Sequence, residues 1–342
     1  MFDILIKNGL ICDGTGASSY EANLGITGDR ITYIGKEYGA DAKAAVTVID
    51  AAGKVITPGF IDTHTHADLS MMIELAMEPF VKQGVTTVIT GNCGYSMAPQ
   101  GDEIFYFPST NQTFQELAGA DPADQMPLLY PREKAQTAFE TLYGVEPDWR
   151  TFAEYSKRCD SMALGCNAAP LVGYSAVRTA VMGQDCLRED TNMVADFIAP
   201  VLGESVDIFC QYDYAMPCSD GFGYAKETNL TGKDEFPAYP NSMNIGLMPR
   251  YLTRYGKDDF EQAVRRASGF PAQRFGIQDR GVLKEGYYAD LVVLDRENLH
   301  SFDEEENPLQ DPCGIDYVFV NGKAALTPDG LTGAGTGRML RK

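Results

Sequence analysis

The chain has 342 residues, 44% of them hydrophobic, which is enough for a large domain with a buried core and a smaller second domain. Its 48 acidic and 28 basic residues give a formal net charge of −20, and such a surface repels phosphate backbones and anionic lipid. We therefore expect neither a nucleic acid nor a membrane as a partner.

The sequence shows no feature of an exported or membrane-spanning protein. The opening run MFDILIKNGL lacks the basic region and long apolar stretch of a signal peptide, and no run approaches the ~18 apolar residues of a membrane span. The eight cysteines are scattered without a CxxC pair. We expect a cytoplasmic protein with reduced thiols that, except for Cys93, are buried as small apolar side chains.

The first part of the chain is predicted to pass from a β-rich segment into an α/β segment. Short β-like runs bounded by Gly or Asp-Gly turns fill residues 1–57 and predict a small antiparallel sheet. After FIDTHTHAD, a helix is predicted from Leu69 to Val81, followed by a buried strand in GVTTVITGNCG. This strand–helix–strand order is typical of a parallel α/β sheet. Residues 101–150 hold prolines and aromatic residues without a sustained period, so we predict an insertion over one end of the sheet, or a lid.

The α/β pattern continues to about residue 280 and then gives way to alternating β-like runs. The elements predicted in between are a helix from Thr151 to Cys159, a strand in ALGCNAAPLVGYS, a helix from Thr191 to Leu202, a strand in VDIFCQ and a helix pair from Phe260 to Phe275 interrupted at Gly269 and Pro271. The β-rich ends around an α/β middle predict a composite β-sandwich domain of residues 1–57 and 281–342. The domain between them is predicted at 58–280.

One strand carries a candidate metal-binding pair. Alternate residues of a strand point to the same side, so FIDTHTHAD places four polar side chains on one face: Asp62, His64, His66 and Asp68. Two imidazoles about 6–7 Å apart along a strand can converge on one ion, and neutral imidazole is a favoured zinc ligand. The alternative is a polar strand with two chance histidines. The chain has only three histidines, however, and two of them form this pair.

Two further residues follow predicted strands and can complete such a site. Cys93, in GNCG, stands at the carboxyl end of the second strand, where α/β barrels place catalytic groups, and a thiolate there is a strong zinc ligand. Asp220, in CSDG, can bind a metal, take a proton from an activated water and give it to a leaving nitrogen. For each residue taken alone an alternative stays open: Cys93 could be a packed thiol, and Asp220 could belong to a plain turn.

Five segments in sequence order resemble the N-acyl-D-amino-acid deacylases of the amidohydrolase superfamily: IDTHTHADL, QGVTTVITGNCGYSMAP, NAAPLVGYSAVRTAVMG, PCSDG and RGVLKEGYYADLVVLD. The resemblance covers roughly residues 1–100, 150–190 and 205–342. It implies a TIM-like (β/α) barrel in which a metal-activated water cleaves the amide bond of a small acylated D-amino acid.

The resemblance also implies a role for each residue of the candidate site. His64 and His66 would bind one metal position, Cys93 would be the bridging ligand, and Asp220 would be the remaining ligand and the general acid/base. Imidazole and thiolate ligands favour zinc, and we expect one ion.

The chain departs from the family pattern at its metal and substrate ligands. The family has two more metal-binding histidines on later strands, whereas no histidine lies between His66 and His300 here. Tyr174 stands where relatives commonly have histidine. The segment that elsewhere reads His-Pro-Arg, whose arginine grips the substrate carboxylate, is Tyr-Pro-Asn here, so Arg178 and Arg250 are the candidate replacements.

The middle of the chain is also short for a complete barrel. A complete (β/α) barrel usually takes about 250 residues. The segment 58–280 without its insertion contains fewer residues than that. We predict a shortened barrel whose open side is closed by the insertion or by a second copy of the chain. Three functions stay open: an N-acyl-D-amino-acid deacylase, a cyclic amide or imide hydrolase like dihydroorotases and hydantoinases, and an inactive deacylase remnant that acts as a binding module.

Overall fold

The structure of the protein, a computed structural model, describes residues 1–37, 45–73, 75–106, 112–121, 129–183, 212–223, 242–302 and 310–341. The predicted helix from Thr191 to Leu202 and the predicted strand in VDIFCQ lie outside these residues. Within them, no helix has both the length and the apolar composition that crossing a membrane requires.

The described cysteines form no disulfide. Cys186 and Cys210 lie outside the described residues. Cys12, Cys159 and Cys166 are buried as predicted. The prediction is wrong for Cys218 and Cys313, which are exposed because each lies in a loop rather than in an element that packs against the core.

Strands from both ends of the chain form one nine-stranded sheet. Its path is β14-β13-β12-β11-β5-β1-β2-β3, and β4 pairs with β1. The strands are β1 (Ile4–Ile11), β2 (Tyr20–Thr27), β3 (Arg30–Gly35), β4 (Thr47–Asp50), β5 (Val55–Pro58), β11 (Leu291–Leu294), β12 (Ile315–Val320), β13 (Lys323–Thr327) and β14 (Gly330–Leu331). The antiparallel pair β5–β11 joins the two ends.

The first strands of this sheet do not all run antiparallel. β1, β2 and β3 are antiparallel neighbours as predicted, but β4 and β5 both run parallel to β1. Alternation of apolar residues indicates a strand and not its direction, so the sequence pattern could not distinguish these arrangements. Side chains from both ends share one apolar core, including Leu24, Ile56, Leu291 and Phe319. The domain boundaries at 57/58 and 280/281 stay a prediction.

A second sheet is parallel and carries the residues of the candidate site. Its order is β10-β7-β6, with β6 at Phe60–Asp62, β7 at Val85–Thr90 and β10 at Asn167–Pro170. The described residues form no closed barrel, but single parallel bridges cover both edges of the sheet. Thr65, just beyond β6, pairs with Gly221, and Ala168 of β10 pairs with Met339. The backbone groups of an uncovered edge would otherwise lack partners.

The helix predicted from Leu69 to Val81 is wrong as a single element. Two short helices occur instead, α1 (Ser70–Ile73) and α2 (Glu78–Val81). Met77 between them has a φ of 48°, in the left-handed region that ends a right-handed helix. Pro79 then lies in the first turn of α2, where its missing N–H costs no helical hydrogen bond.

Residues 101–150 are more regular than predicted. They contain an antiparallel pair, β8 (Glu103–Phe105) with β9 (Leu129–Pro131), and the helices α3 (Gln112–Leu117) and α4 (Arg132–Tyr143). The apolar core of this segment consists of aromatic rings, which follow no helical or strand periodicity in the sequence. Phe114 packs edge-to-face on Tyr130 and Phe139, with ring centroids 5.3 and 4.7 Å apart.

Five further helices are described: the first matches the predicted helix from Thr151 to Cys159, the last two match the predicted pair from Phe260 to Phe275, and the two between them were not predicted. They are α5 (Phe152–Asp160), α6 (Tyr174–Met182), α7 (Ser242–Tyr255), α8 (Phe260–Ala267) and α9 (Gly269–Phe275). α5 begins with a capping box formed by Thr151 and Glu154. The interruption between α8 and α9 falls at Ser268 rather than at Gly269 and Pro271, because proline is tolerated in the first turn of a helix.

A buried polar network connects the parallel sheet to the nine-stranded sheet. Arg280 forms an ion pair with Asp290, and the two side chains are 2% and 3% exposed. Asp290 also accepts hydrogen bonds from the Asn167 amide at 3.0 Å and from the Asn321 backbone N–H at 2.7 Å. Arg280 donates to Asn321 Oδ1 at 2.7 Å. Every charge in this network therefore has a direct partner, which burial requires.

Candidate metal centre

Four polar side chains converge at the carboxyl end of the parallel sheet. His64 and His66 follow β6, Cys93 follows β7, and Asp220 lies in the segment beside them. Cys93 Sγ is 3.3 Å from His64 Nε2, and Asp220 Oδ1 is 3.3 Å from His64 Nε2 and 3.1 Å from His66 Nε2. Ligand atoms of His64, His66 and Cys93 all lie within 4.8 Å of one another.

Backbone pairing brings Asp220 to the histidines from a distant part of the chain. The N–H of Asp220 donates to the carbonyl of His64 at 3.0 Å, and the N–H of His66 donates to the carbonyl of Gly221 at 2.8 Å. Together with the parallel bridge between Thr65 and Gly221, these bonds lay the Asp220 segment along the edge of the sheet opposite β7. The Asp220 carboxylate therefore meets both imidazoles.

The loop that carries Cys93 is held on three sides. The Asn92 amide donates to the carbonyls of Ile89 at 2.9 Å and Thr65 at 3.2 Å. At the first turn of α6, the N–H of Ser175 donates to the carbonyl of Gly94 at 2.9 Å. Gly91 has a φ of 80°, and a Cβ there would lie 2.0 Å from the Leu171 carbonyl oxygen, so the turn requires glycine.

Cys93 and Asp220 share an uncommon backbone conformation. Their φ values are 53° and 52°, in the left-handed region that few residues other than glycine adopt. Such strain persists only where the surroundings hold it, and it concentrates at functional sites. Both residues were predicted as ligands from their positions after strands, and their role as ligands stays a prediction.

Asp62 and Asp68, predicted on the same face as the histidines, brace the loops instead. Asp62 is buried and accepts from the N–H groups of Ser219 at 3.1 Å and His64 at 3.4 Å. Asp68 is buried and accepts from the N–H of Gly91 at 3.2 Å. Burial raises the pKa of each carboxyl to about 6, although these hydrogen bonds oppose the shift. Their positioning role was not evident from alternation along one strand.

The donor set fits a divalent cation such as zinc. With Zn–N of about 2.0–2.1 Å and Zn–S of about 2.3 Å, two ligands at a tetrahedral angle lie roughly 3.4–3.6 Å apart, close to the separations between these donors. The Nδ1 atom of His66 is buried and has no hydrogen-bond partner among the described residues. Burial raises the pKa of the Cys93 thiol, and the charge of Asp220 raises it further. A bound cation would favour the thiolate.

The charge state of Asp220 also reflects its neighbours. Burial alone would raise the pKa of this carboxyl, but hydrogen bonds from His64 and His66 outweigh it and hold the pKa well below its usual range. The carboxylate is therefore ionised at neutral pH, as a metal ligand or a proton acceptor must be.

Aromatic rings shape the inner side of the cluster, and sequence reasoning did not anticipate them. Phe222 stacks on the imidazole of His66 with centroids 5.1 Å apart, and Tyr95 lies 6.3 Å from the same ring. His66 is only 6% exposed, whereas the side chain of His64 is 34% exposed. The only sequence signal for Phe222 was its position two residues after Asp220.

The two arginines predicted to bind substrate have different surroundings. Arg178 lies in α6, the helix whose first turn contacts Gly94, and its buried Nε has no hydrogen-bond partner among the described residues. Arg250 lies in α7, and its guanidinium donates to the carbonyl of Phe302 at 2.6 Å. Tyr174 is 69% exposed at the start of α6. A substrate-binding role for either arginine stays a prediction.

Comparison with known proteins identifies the relatives of this chain. The model of the amidohydrolase family matches residues 47–142 and 236–325, more than half of the chain. An N-acyl-D-glutamate deacylase of Alcaligenes xylosoxydans xylosoxydans is 32% identical, and the alignment covers 99% of this chain and 96% of the relative. A D-aminoacylase of the same organism is 25% identical, and the alignment covers 100% of this chain and 98% of the relative.

The relatives are longer than this chain in their interior. The alignment with the N-acyl-D-glutamate deacylase extends over 475 residues, whereas this chain has 342, so the relative contains segments without a counterpart here. Among solved structures, the N-acyl-D-glutamate deacylase of Bordetella bronchiseptica, complexed with zinc and a phosphonate inhibitor, has a TM-score of 0.72 at 21% identity, with both chains fully covered. The chain belongs to the amidohydrolase family, in the group of the D-aminoacylases and N-acyl-D-amino-acid deacylases.

Proposed function

We propose that this chain is a metal-dependent amidohydrolase that hydrolyses N-acyl-D-amino acids at the cluster of His64, His66, Cys93 and Asp220. The observation that carries the proposal is the convergence of these four donors from three separate segments at the end of a parallel sheet. In the fold that we propose, β6, β7 and β10 are retained strands of a shortened (β/α) barrel beside a composite β-sandwich domain.

Each side chain has a defined task in this proposal. His64, His66, Cys93 and Asp220 would hold one zinc ion, and a bound zinc would supply Lewis acidity toward an amide carbonyl and a water molecule. Asp220, ionised beside both imidazoles, accepts a proton from the attacking water and delivers it to the leaving nitrogen. Asp62 and Asp68 keep the Asp220 and Cys93 loops in register. The products are a carboxylate and a free D-amino acid.

The similarity to curated relatives supports the substrate class. Two relatives that cover nearly the whole chain are a D-aminoacylase and an N-acyl-D-glutamate deacylase, and a solved relative binds zinc with a phosphonate that mimics the tetrahedral intermediate. A carboxylate-bearing substrate needs a cationic partner, and Arg178 and Arg250 are the arginines that we propose for it.

A substrate panel tests this function. We expect zinc-loaded protein to release D-amino acids from N-acetyl-D-amino acids at least about tenfold faster than it hydrolyses the L-enantiomers. Hydantoins and dihydroorotate are assayed beside them. Turnover of the cyclic substrates alone would replace the proposal with a cyclic amide hydrolase. Folded, zinc-bound protein without turnover of any substrate would identify the chain as an inactive binding module.

A further inference from the structure

A large cavity lies away from the metal cluster, where the parallel sheet meets the carboxyl-terminal segment. Its volume is about 1000 Å³, at the upper end of the ~300–1000 Å³ typical of small-molecule sites. β10 and the residue after it form one wall, the turn after α9 forms a second, and residues 338–341 form a third. The cavity shares no lining residue with the metal cluster.

The charged side chains that line this cavity are all basic, although the protein as a whole is acidic. Four arginines line it, Arg274, Arg280, Arg338 and Arg341, and no acidic side chain is among the described lining residues. The chain as a whole has a formal net charge of −20. A concave surface lined by one sign of charge concentrates ligands of the opposite sign.

Three of these arginines retain guanidinium N–H groups without a partner among the described residues, whereas Arg280 is 2% exposed and pairs with Asp290 and Asn321. Arg338 donates through Nη1 to Asp29 at 2.8 Å. Arg341 pairs with Asp160 through Nη2 and donates through Nε and Nη2 to Ser156 Oγ at 3.0 and 2.8 Å, which leaves its Nη1 without a described partner. A guanidinium carries five N–H donors, so each pair leaves donors for a ligand. Arg274 is exposed and forms no ion pair with a described residue. The acidic partners Asp29 and Asp160 hold two of the guanidinium groups in place without lining the cavity.

An aromatic ring fixes two of the arginines, and the remaining wall is largely apolar. The guanidinium carbons of Arg280 and Arg338 lie 3.9 and 5.6 Å from the ring centroid of Tyr288. Apolar side chains complete the lining, among them Leu171, Met216, Phe275, Ile277, Met339 and Leu340. Cationic groups beside an apolar wall are complementary to an anion with an apolar tail.

We propose that this cavity is a second, non-catalytic binding site for a carboxylate that carries an apolar chain. The carboxylate contacts Arg274 and Arg341, and the chain lies against the apolar wall formed by β10 and the turn after α9. The proposal is independent of the reaction at the metal cluster.

Calorimetric titration with decanoate tests the proposal. We expect wild-type protein to bind one decanoate at least about tenfold more tightly than decyltrimethylammonium, which has the same chain and the opposite charge, because the arginines attract only the anion. Acetate, which lacks the chain, should bind too weakly to detect. No binding of decanoate, or equal binding of the two decyl compounds, would overturn the proposal.

Variants locate the site. Arg274→Gln should weaken decanoate binding about tenfold, and the double variant with Arg341→Gln should abolish it, because charge-assisted hydrogen bonds are lost. Arg158→Gln, at an exposed arginine outside the cavity, changes the net charge equally and should bind like wild type. Cys93→Ala should also bind like wild type. Loss of binding in Cys93→Ala, or undiminished binding in the double variant, would place decanoate elsewhere and contradict the proposal.

Discussion

We expect Asp290→Asn to lower the free energy of unfolding by about 3–5 kcal/mol. Asparagine has nearly the same volume as aspartate, so the substitution opens no cavity. It does remove the charge that offsets Arg280, which is 2% exposed in the network between the two sheets. A buried, uncompensated guanidinium is among the most costly defects that a point substitution produces. Urea unfolding followed by circular dichroism measures the change.

A surface ion pair supplies the matched control for this prediction. Asp102→Asn breaks a pair with Arg150 at 3.2 Å, in which the aspartate side chain is 95% exposed. Exposed pairs contribute little because solvent screens them, so this variant should unfold like wild type. Equal stability of the two variants would show that the buried network does not hold the sheets together.

The second large effect concerns catalysis. Asp220→Asn should lower kcat by about 10²–10⁴-fold, the usual contribution of a positioned general acid/base. Asparagine can still occupy the space beside His64 and His66 but cannot accept and return a proton. The rate is measured on the best substrate of the panel, with metal content determined on the same sample so that loss of zinc and loss of proton transfer are distinguished.

Asp213→Asn is the control for the Asp220 variant. Asp213 lies in the same described segment, its side chain is 92% exposed, and it pairs with Arg266 at 3.1 Å rather than with the cluster. We expect it to leave kcat within about twofold of wild type. An Asp220→Asn enzyme that keeps both zinc and full activity would remove Asp220 from the proposed mechanism.

Much of the candidate site was predictable because its members lie close to recognisable strands. The alternation in FIDTHTHAD predicted His64 and His66 on one face of a strand, but β6 ends at Asp62 and both histidines lie in the loop beyond it, where each contacts Asp220. The position of Cys93 after a buried strand predicted its place at the same end of the sheet. Asp220 was predicted from similar reasoning, but its pairing alongside His64 and His66 depends on contacts between residues more than 150 positions apart. Local sequence pattern carries no information on such contacts.

The errors in the fold have similar causes. The break at Met77 depends on one left-handed residue inside an otherwise helical apolar pattern. The parallel direction of β4 and β5 depends on how the chain returns to β1. The carboxyl-terminal segment pairs with β10 through Met339, and the buried network around Asp290 joins residues that are distant in the sequence. No local sequence pattern predicts either contact.

The most direct test of the proposed metal centre is the zinc content of purified protein after reconstitution and exhaustive dialysis. We expect about one zinc per wild-type chain, and a loss of at least about tenfold in affinity in His66→Ala and Cys93→Ala, since each removes one ligand. Cys313→Ala, at an exposed cysteine outside the cluster, should keep the metal. Metal-free wild-type protein, or equal zinc in all three variants, would contradict the assignment of His64, His66, Cys93 and Asp220 as a metal centre.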